Sequence, residues 1–224
     1  MKAEFEGSKE SRTLMKLKKN QLCVICDGDE SKKELGTGFS FMKIDWIVTA
    51  AHVVLVDGFP RQNLHIEFVP GTGDFQYIKV KVLAVHIECD IAILQIENSD
   101  YFGTPLYPGN EDLSSNRGLI YAGYNPSENS IRIEHALKFS RDARYRNHEE
   151  VILEFESSHV TGGFSGGPIF GDGGVVLGIL INQFSDIAEP QKYFARGISI
   201  KTLMEGISVQ IIPEIMKPIM IDET

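Results

Sequence analysis

The chain reads as an all-β protein, a barrel or a sandwich. Short strand-like segments recur from end to end, glycine- and proline-rich turns separate them, and helical periodicity is scarce. The segments rich in Val, Ile and Phe are Leu22–Asp27, Gly36–Lys43, Trp46–Thr49, Leu64–Val69, Ile78–Ile87 and Ile91–Glu97, followed by Leu119–Tyr124, Ile131–Phe139, Val151–Glu156, Pro168–Phe170, Val175–Asn182 and Ala195–Ile200. Ile78-Lys-Val-Lys-Val82 alternates apolar and polar residues, the mark of a strand with one covered face. Gly-Phe-Pro at 58–60, Pro-Gly-Thr-Gly at 70–73 and Gly-Asp-Gly-Gly at 171–174 supply turn chemistry. Helix is expected only at Glu10–Asn20, in a turn after Ala50, and at Lys201–Gly206.

A break in composition falls near Leu106–Arg117, where Pro105, Pro108, Gly109 and a polar run read as a linker. It divides the chain into two halves with similar numbers of strands and no visible sequence repeat. The expected organisation is an N-terminal extension at 1–21, a first unit at about 22–105, a second at about 118–203, and a tail at 204–224. Pro213 and Pro218 would break any long helix in that tail.

With 224 residues and 42% hydrophobic content the chain can bury a substantial core. Its formal net charge of -9 argues against nucleic acid and anionic membrane as default partners. Arg141, Arg144 and Arg146 stand beside Glu149 and Glu150 and read as a solvated loop face. The first residues lack the apolar stretch of a secretory signal, and Val175–Ile181 is far too short to span a bilayer. The expected location is cytoplasmic. Three cysteines are too few for a disulfide framework. Cys23 and Cys26 form a CxxC without a second pair inside an apolar run, and Cys89 stands alone, so all three read as packing residues. Asp27, Asp29 and Glu30 lack calcium-loop spacing. No metal and no cofactor are expected.

The segment "VTGGFSGGPIF" (160–170) surrounds one serine with four glycines. Such loosening marks backbone that must reach unusual dihedrals or admit a close approach. A serine hydroxyl becomes a nucleophile only when a base takes its proton and a third group fixes that base. The six histidines, His52, His65, His86, His135, His148 and His159, all precede Ser165. Gly163-Phe-Ser165-Gly-Gly167 matches G-x-S-x-G, but an α/β-hydrolase needs its histidine after the serine, so that fold is excluded. His52 follows an apolar strand and two small residues, in Thr49-Ala-Ala-His52, and Asp90 opens the apolar strand Asp90-Ile-Ala-Ile-Leu94.

Thr49-Ala-Ala-His52, Asp90-Ile-Ala-Ile-Leu94 and Gly163-Phe-Ser165-Gly-Gly-Pro168 stand in the order His, Asp, Ser. In that order, on an all-β chain of this length, they resemble the chymotrypsin-like (trypsin-fold) serine peptidases, from about Leu22 to Leu203. The resemblance implies two six-stranded antiparallel β-barrels with the active site in the cleft between them. It further implies Ser165 as nucleophile, His52 as base, Asp90 as its orienter, and the backbone N–H groups of Gly163 and Ser165 as the oxyanion hole. Phe164 departs from the secreted digestive members, whose aspartate there pairs with a new N-terminus, so the pattern is closer to the bacterial and HtrA-like branch, here without a PDZ segment after Leu203. The specificity pocket implied is His159, Val160, Ile181, Gln183 and Gly197, with no aspartate six before the serine to favour Lys or Arg. His159, with Arg196, would favour an acidic side chain; His159 as an exposed loop residue is the open alternative. Ile181 replaces a serine that in many relatives bonds the catalytic aspartate. The partner implied is a polypeptide substrate. A regulatory partner that gates the site, and a peptide-binding module without catalysis, are the alternatives.

Overall fold

Antiparallel strands account for most of the described residues. The computed structural model describes residues 20–28, 33–68, 77–97, 100, 102–109, 119–135, 138–144, 151–157, 162–171, 174–185 and 193–205. The first half holds β1 (Leu22–Asp27), β2 (Lys33–Ser40), β3 (Trp46–Ala50), a short helix α1 (Ala51–Val54), the small hairpin β4 (Leu55–Val56) and β5 (Phe59–Pro60), then β6 (Leu64–Phe68), β7 (Ile78–His86) and β8 (Ile91–Ile96). Six of these strands close into a barrel in the order β1-β2-β3-β8-β7-β6. The hairpin turns on Asp57 and Gly58, both with positive φ (51° and 84°), the dihedral pattern for which Asp-Gly is selected in two-residue hairpins.

The second half holds β9 (Ile120–Asn125), β10 (Ser130–His135), β11 (Lys138–Arg144), β12 (Val151–Ser157), β13 (Pro168–Phe170), β14 (Val176–Ser185), β15 (Tyr193–Ser199) and the helix α2 (Ile200–Glu205). Among the described residues it is a seven-stranded sheet in the order β10-β9-β13-β14-β15-β12-β11. Of the segment Ile131–Phe139, expected as one strand, the first part lies in β10, which pairs with β9, and the last in β11, which pairs with β12; residues 136 and 137 lie outside the described residues. The extension before residue 20, with its expected helix, and the tail after 205 lie outside the described residues.

Burial explains which strands alternate. In β7, Ile78 and Val80 face inward while Lys79 and Lys81 face solvent. In β1 and β3 almost every residue is buried, because the strands are covered on both sides. Cys23 and Ile25 fill the barrel, whereas Val24 and Cys26 pack outward against Tyr124 of β9. The two cysteines of the CxxC therefore sit on opposite faces of one strand, buried and free. Burial, reinforced by nearby Cys26, pushes the Cys23 thiol far above the usual thiol range. The barrel core continues into Ile120, Ala122, Phe170, Ile179, Ile181 and Ile198 of the second sheet. The other face of that sheet has its own cluster, in which Tyr121, Phe155 and Phe164 meet.

Residues 102–109, which run into the segment expected as a linker, are hydrogen-bonded to both halves. Gly103 N–H donates to Ile44, Thr104 N–H to Asn20 and Leu106 N–H to Ser40, while Val176 N–H donates to Tyr107 and Gly109 N–H to Val176. Residues 110–118 lie outside the described residues.

Candidate active site

Strand β3 ends in Thr49 and Ala50, and α1 begins at once with Ala51 and His52. Ala50 and Ala51 are buried, and Ala51 N–H donates to the Asp90 carbonyl at 3.0 Å. The turn that carries Asp90 closes through Asp90 N–H to the Ile87 carbonyl at 3.2 Å and Cys89 N–H to His86 Nδ1 at 3.1 Å. Asp90 itself has φ 54°, a left-handed conformation that aspartate tolerates better than most residues.

His52 and Asp90 meet at two points. The Asp90 carboxylate accepts the His52 backbone N–H on Oδ1 at 2.9 Å and faces imidazole Nδ1 with Oδ2 at 2.7 Å. An acceptor on Nδ1 assigns the ring proton there and leaves Nε2 with a free lone pair. The imidazole is half exposed and the carboxylate is a quarter exposed.

Ser165 lies in the turn at 162–167, and two of the glycines around it answer specific backbone demands. Gly163 and Gly166 adopt φ 92° and 87°. A Cβ on Gly166 would lie 2.1 Å from Thr49 Oγ1 and 2.2 Å from the Thr37 carbonyl. The turn therefore presses directly on the strand ends that lead to His52. A Cβ on Gly36 would in turn lie 2.8 Å from the Ser165 carbonyl. Further bonds pin the turn: Thr37 N–H to the Ser165 carbonyl at 2.8 Å, Gly166 N–H to the Leu180 carbonyl at 2.7 Å, and Leu180 N–H to the Gly167 carbonyl at 2.8 Å. The Ser165 hydroxyl donates to the Ile181 carbonyl at 3.3 Å. No described acceptor takes the backbone N–H of Gly163 or Ser165.

Phe164 points away from the hydroxyl and into the second sheet. Its side chain is buried and meets Tyr121 edge-on, with centroids 5.8 Å apart. Gly123 makes the room, since a Cβ there would lie 2.5 Å from the phenyl ring. The apolar contact anchors the serine turn at the position where the secreted members use an ion pair. Phe164→Ala is expected to lower the unfolding free energy by about 3–5 kcal/mol in urea titrations. A loss below about 1 kcal/mol would show that the ring anchors nothing.

The sequence-derived pocket residues divide. His159 and Val160 lie outside the described residues. Ile181 is buried at β14 with its carbonyl on Ser165, and Gln183 is half-buried two residues further along. Gly197 is buried on β15, where a Cβ would meet Ile169 Cδ1 at 2.3 Å. Arg196 is committed elsewhere: its Nη2 pairs with Glu154 Oε2 at 2.9 Å and its guanidinium lies 4.8 Å from the Phe184 ring centre. Among the described residues no group of three or more His, Cys, Asp or Glu side chains is placed to hold a metal ion.

Two residues that sequence reasoning passed over bind the site together. Thr37 contacts the serine turn through both backbone and hydroxyl. Tyr124 donates its backbone N–H to Thr37 and its phenol proton to Glu34, with the Asn129 side-chain amide 3.0 Å from the phenol oxygen, joining β9 to the barrel. Burial, and then the hydrogen bond to Glu34, raise the Tyr124 phenol above its ordinary range.

The profile of the trypsin-like peptidase domain family matches residues 36–179, a span that contains His52, Asp90 and Ser165. The chain belongs to that family. As a trypsin-like peptidase domain it is a serine endopeptidase. Its fold is similar to that of Deg5, at TM-score 0.63 and 21% identity over 89% of this chain and 94% of the other. It is similar also to the Rv3671c protease from M. tuberculosis in its active form, at TM-score 0.60 and 21% identity over 88% and 81%. The HtrA-type protease AlgW with tripeptide gives TM-score 0.65 and 15% identity over 88% and 62%. At these identities the likeness bears on the fold alone. No curated protein matches the sequence.

Proposed function

We propose that the trypsin-like peptidase domain hydrolyses peptide bonds of polypeptides with Ser165 as nucleophile, His52 as general base and then general acid, and Asp90 as the group that orients His52. The observation that carries this reading is the two-point seating of His52 on Asp90, which leaves Nε2 as the free acceptor. In the attack, the Ser165 hydroxyl rotates from the Ile181 carbonyl toward Nε2 and gives up its proton as Oγ bonds to the substrate carbonyl carbon. The developing oxyanion is received by the N–H groups of Gly163 and Ser165, each such donor contributing on the order of 3 kcal/mol to transition-state stabilisation. Nε2–H then protonates the leaving amine, and water releases the acyl group by the same steps in reverse.

The pocket is proposed to draw on His159, Val160, Ile181, Gln183 and Gly197. Arg196 is held by Glu154, so its guanidinium is engaged rather than presented to an acidic substrate side chain. Three buried free cysteines fit a reducing compartment, and a cytoplasmic location is part of the proposal.

The test is covalent capture. Incubation with a fluorophosphonate, followed by intact mass and peptide mapping, is expected to show one adduct, on Ser165. A folded chain that stays unlabelled at every pH between 6 and 9 would sink the reading. A second reading, in which a regulatory protein gates the same residues, draws on the Ser165 hydroxyl resting against the Ile181 carbonyl. Labelling that requires an added protein fraction would favour it.

A further inference from the structure

We infer that Thr37, through its side-chain hydroxyl, is a positioning residue that sets the serine turn against the histidine arm. The inference rests on the reading of Ser165 as nucleophile. Thr37 is fully buried on β2, and each of its polar atoms is engaged. Its N–H donates to the Ser165 carbonyl at 2.8 Å. Its hydroxyl donates to the Gly163 carbonyl at 2.6 Å and accepts the Tyr124 backbone N–H at 2.8 Å. Its carbonyl accepts the Thr49 hydroxyl at 2.7 Å. One residue thereby contacts the serine turn, the second sheet and the strand end that leads to His52.

The direction of the hydroxyl is fixed by its neighbours. Tyr124 N–H can only donate, so the single Thr37 hydroxyl proton goes to the Gly163 carbonyl. That bond holds the peptide plane between Gly163 and Phe164. Gly163 sits at φ 92° and has no Cβ to choose among conformers, so an external tie must select one. The N–H on the other side of the same Cα is a proposed oxyanion donor, and such donors act only within a few tenths of an ångström of the right place. A loss of the hydroxyl frees this plane while the Thr37 backbone bonds to Ser165 and Thr49 persist. The effect should therefore fall on the transition state and spare substrate binding.

The decisive comparison uses the full chain with Thr37→Val, Thr37→Ser and the core variant Ile66→Val, the last chosen as a buried barrel residue outside the site. Thr37→Val is expected to lower kcat roughly 10- to 100-fold with KM changed less than about twofold. Thr37→Ser, which keeps the hydroxyl, should stay within about threefold of the native kcat. Ile66→Val should lower Tm by a few degrees and leave kcat unchanged. Full activity in Thr37→Val, or an equal loss in Thr37→Ser, would overturn the proposal.

A second readout does not depend on turnover. By NMR, Thr37→Val should accelerate exchange of the Tyr124 amide and shift the Gly163 carbonyl resonance, with amides of β7 and β8 unaffected. If the native chain takes no fluorophosphonate, the peptidase mechanism fails and this readout alone decides the role of Thr37. Unchanged Tyr124 exchange and an unchanged Gly163 shift would then refute it.

Discussion

Ser165→Ala is expected to lower kcat by roughly 10⁶-fold, to the residual rate that binding and backbone donors sustain without a nucleophile. The fold should be untouched, because the serine turn is held by backbone groups. Thr37 bonds the Ser165 carbonyl, and Leu180 bonds Gly166 and Gly167 on either strand direction. The hydroxyl itself makes one bond, a long one of 3.3 Å to a carbonyl, whose loss is small. Thermal melting should therefore move by less than about 2 °C. Progress curves on a peptide library, read beside the melting curve, separate chemistry from stability. Turnover that survives in a folded Ser165→Ala protein would remove Ser165 from the mechanism.

Asp90→Asn should lower kcat by roughly 10⁴-fold through the tautomer of His52. The carboxylate accepts from both the His52 backbone N–H and Nδ1. An amide in its place has one acceptor oxygen. If that oxygen keeps the backbone N–H, the amide NH₂ faces Nδ1 and drives the ring proton to Nε2, where it blocks acceptance from serine. Asparagine also tolerates the left-handed backbone at position 90, so the turn should persist. The expected pattern is a large loss in kcat and a slower fluorophosphonate reaction with an unchanged melting temperature. A loss smaller than tenfold would mean that Asp90 does not orient the base.

The strand pattern was legible because alternation and β-branched runs report burial directly, as in Ile78–His86. The three residues proposed for the chemistry stand out through local context: small residues before His52, an apolar strand after Asp90, and glycines around Ser165. Contacts between distant segments were not legible. Thr37 looks like any strand threonine, since its partners Gly163 and Tyr124 are 126 and 87 positions away. Segment Ile131–Phe139 reads as one strand because its residues have β-forming character throughout, and only the pairing reveals that its first part joins β9 and its last part β12. The Asp57-Gly58 hairpin carried a clear local signal that a broader turn assignment at 58–60 absorbed.

The segment 102–109 joins the two halves as a shared strap. Leu106 pairs with Phe41 in the barrel and Pro108 with Val176 in the second sheet. A loose tether would let each half open alone, with its own melting step. A strap bonded on both sides makes separation break backbone hydrogen bonds to both halves at once, each contributing a net ~0.5–1.5 kcal/mol. The halves are thus thermodynamically coupled into one cooperative unit. Slow hinge motion across the cleft is a poor source of functional change in such a molecule, and small rearrangements of the serine turn are the low-energy way for it to respond.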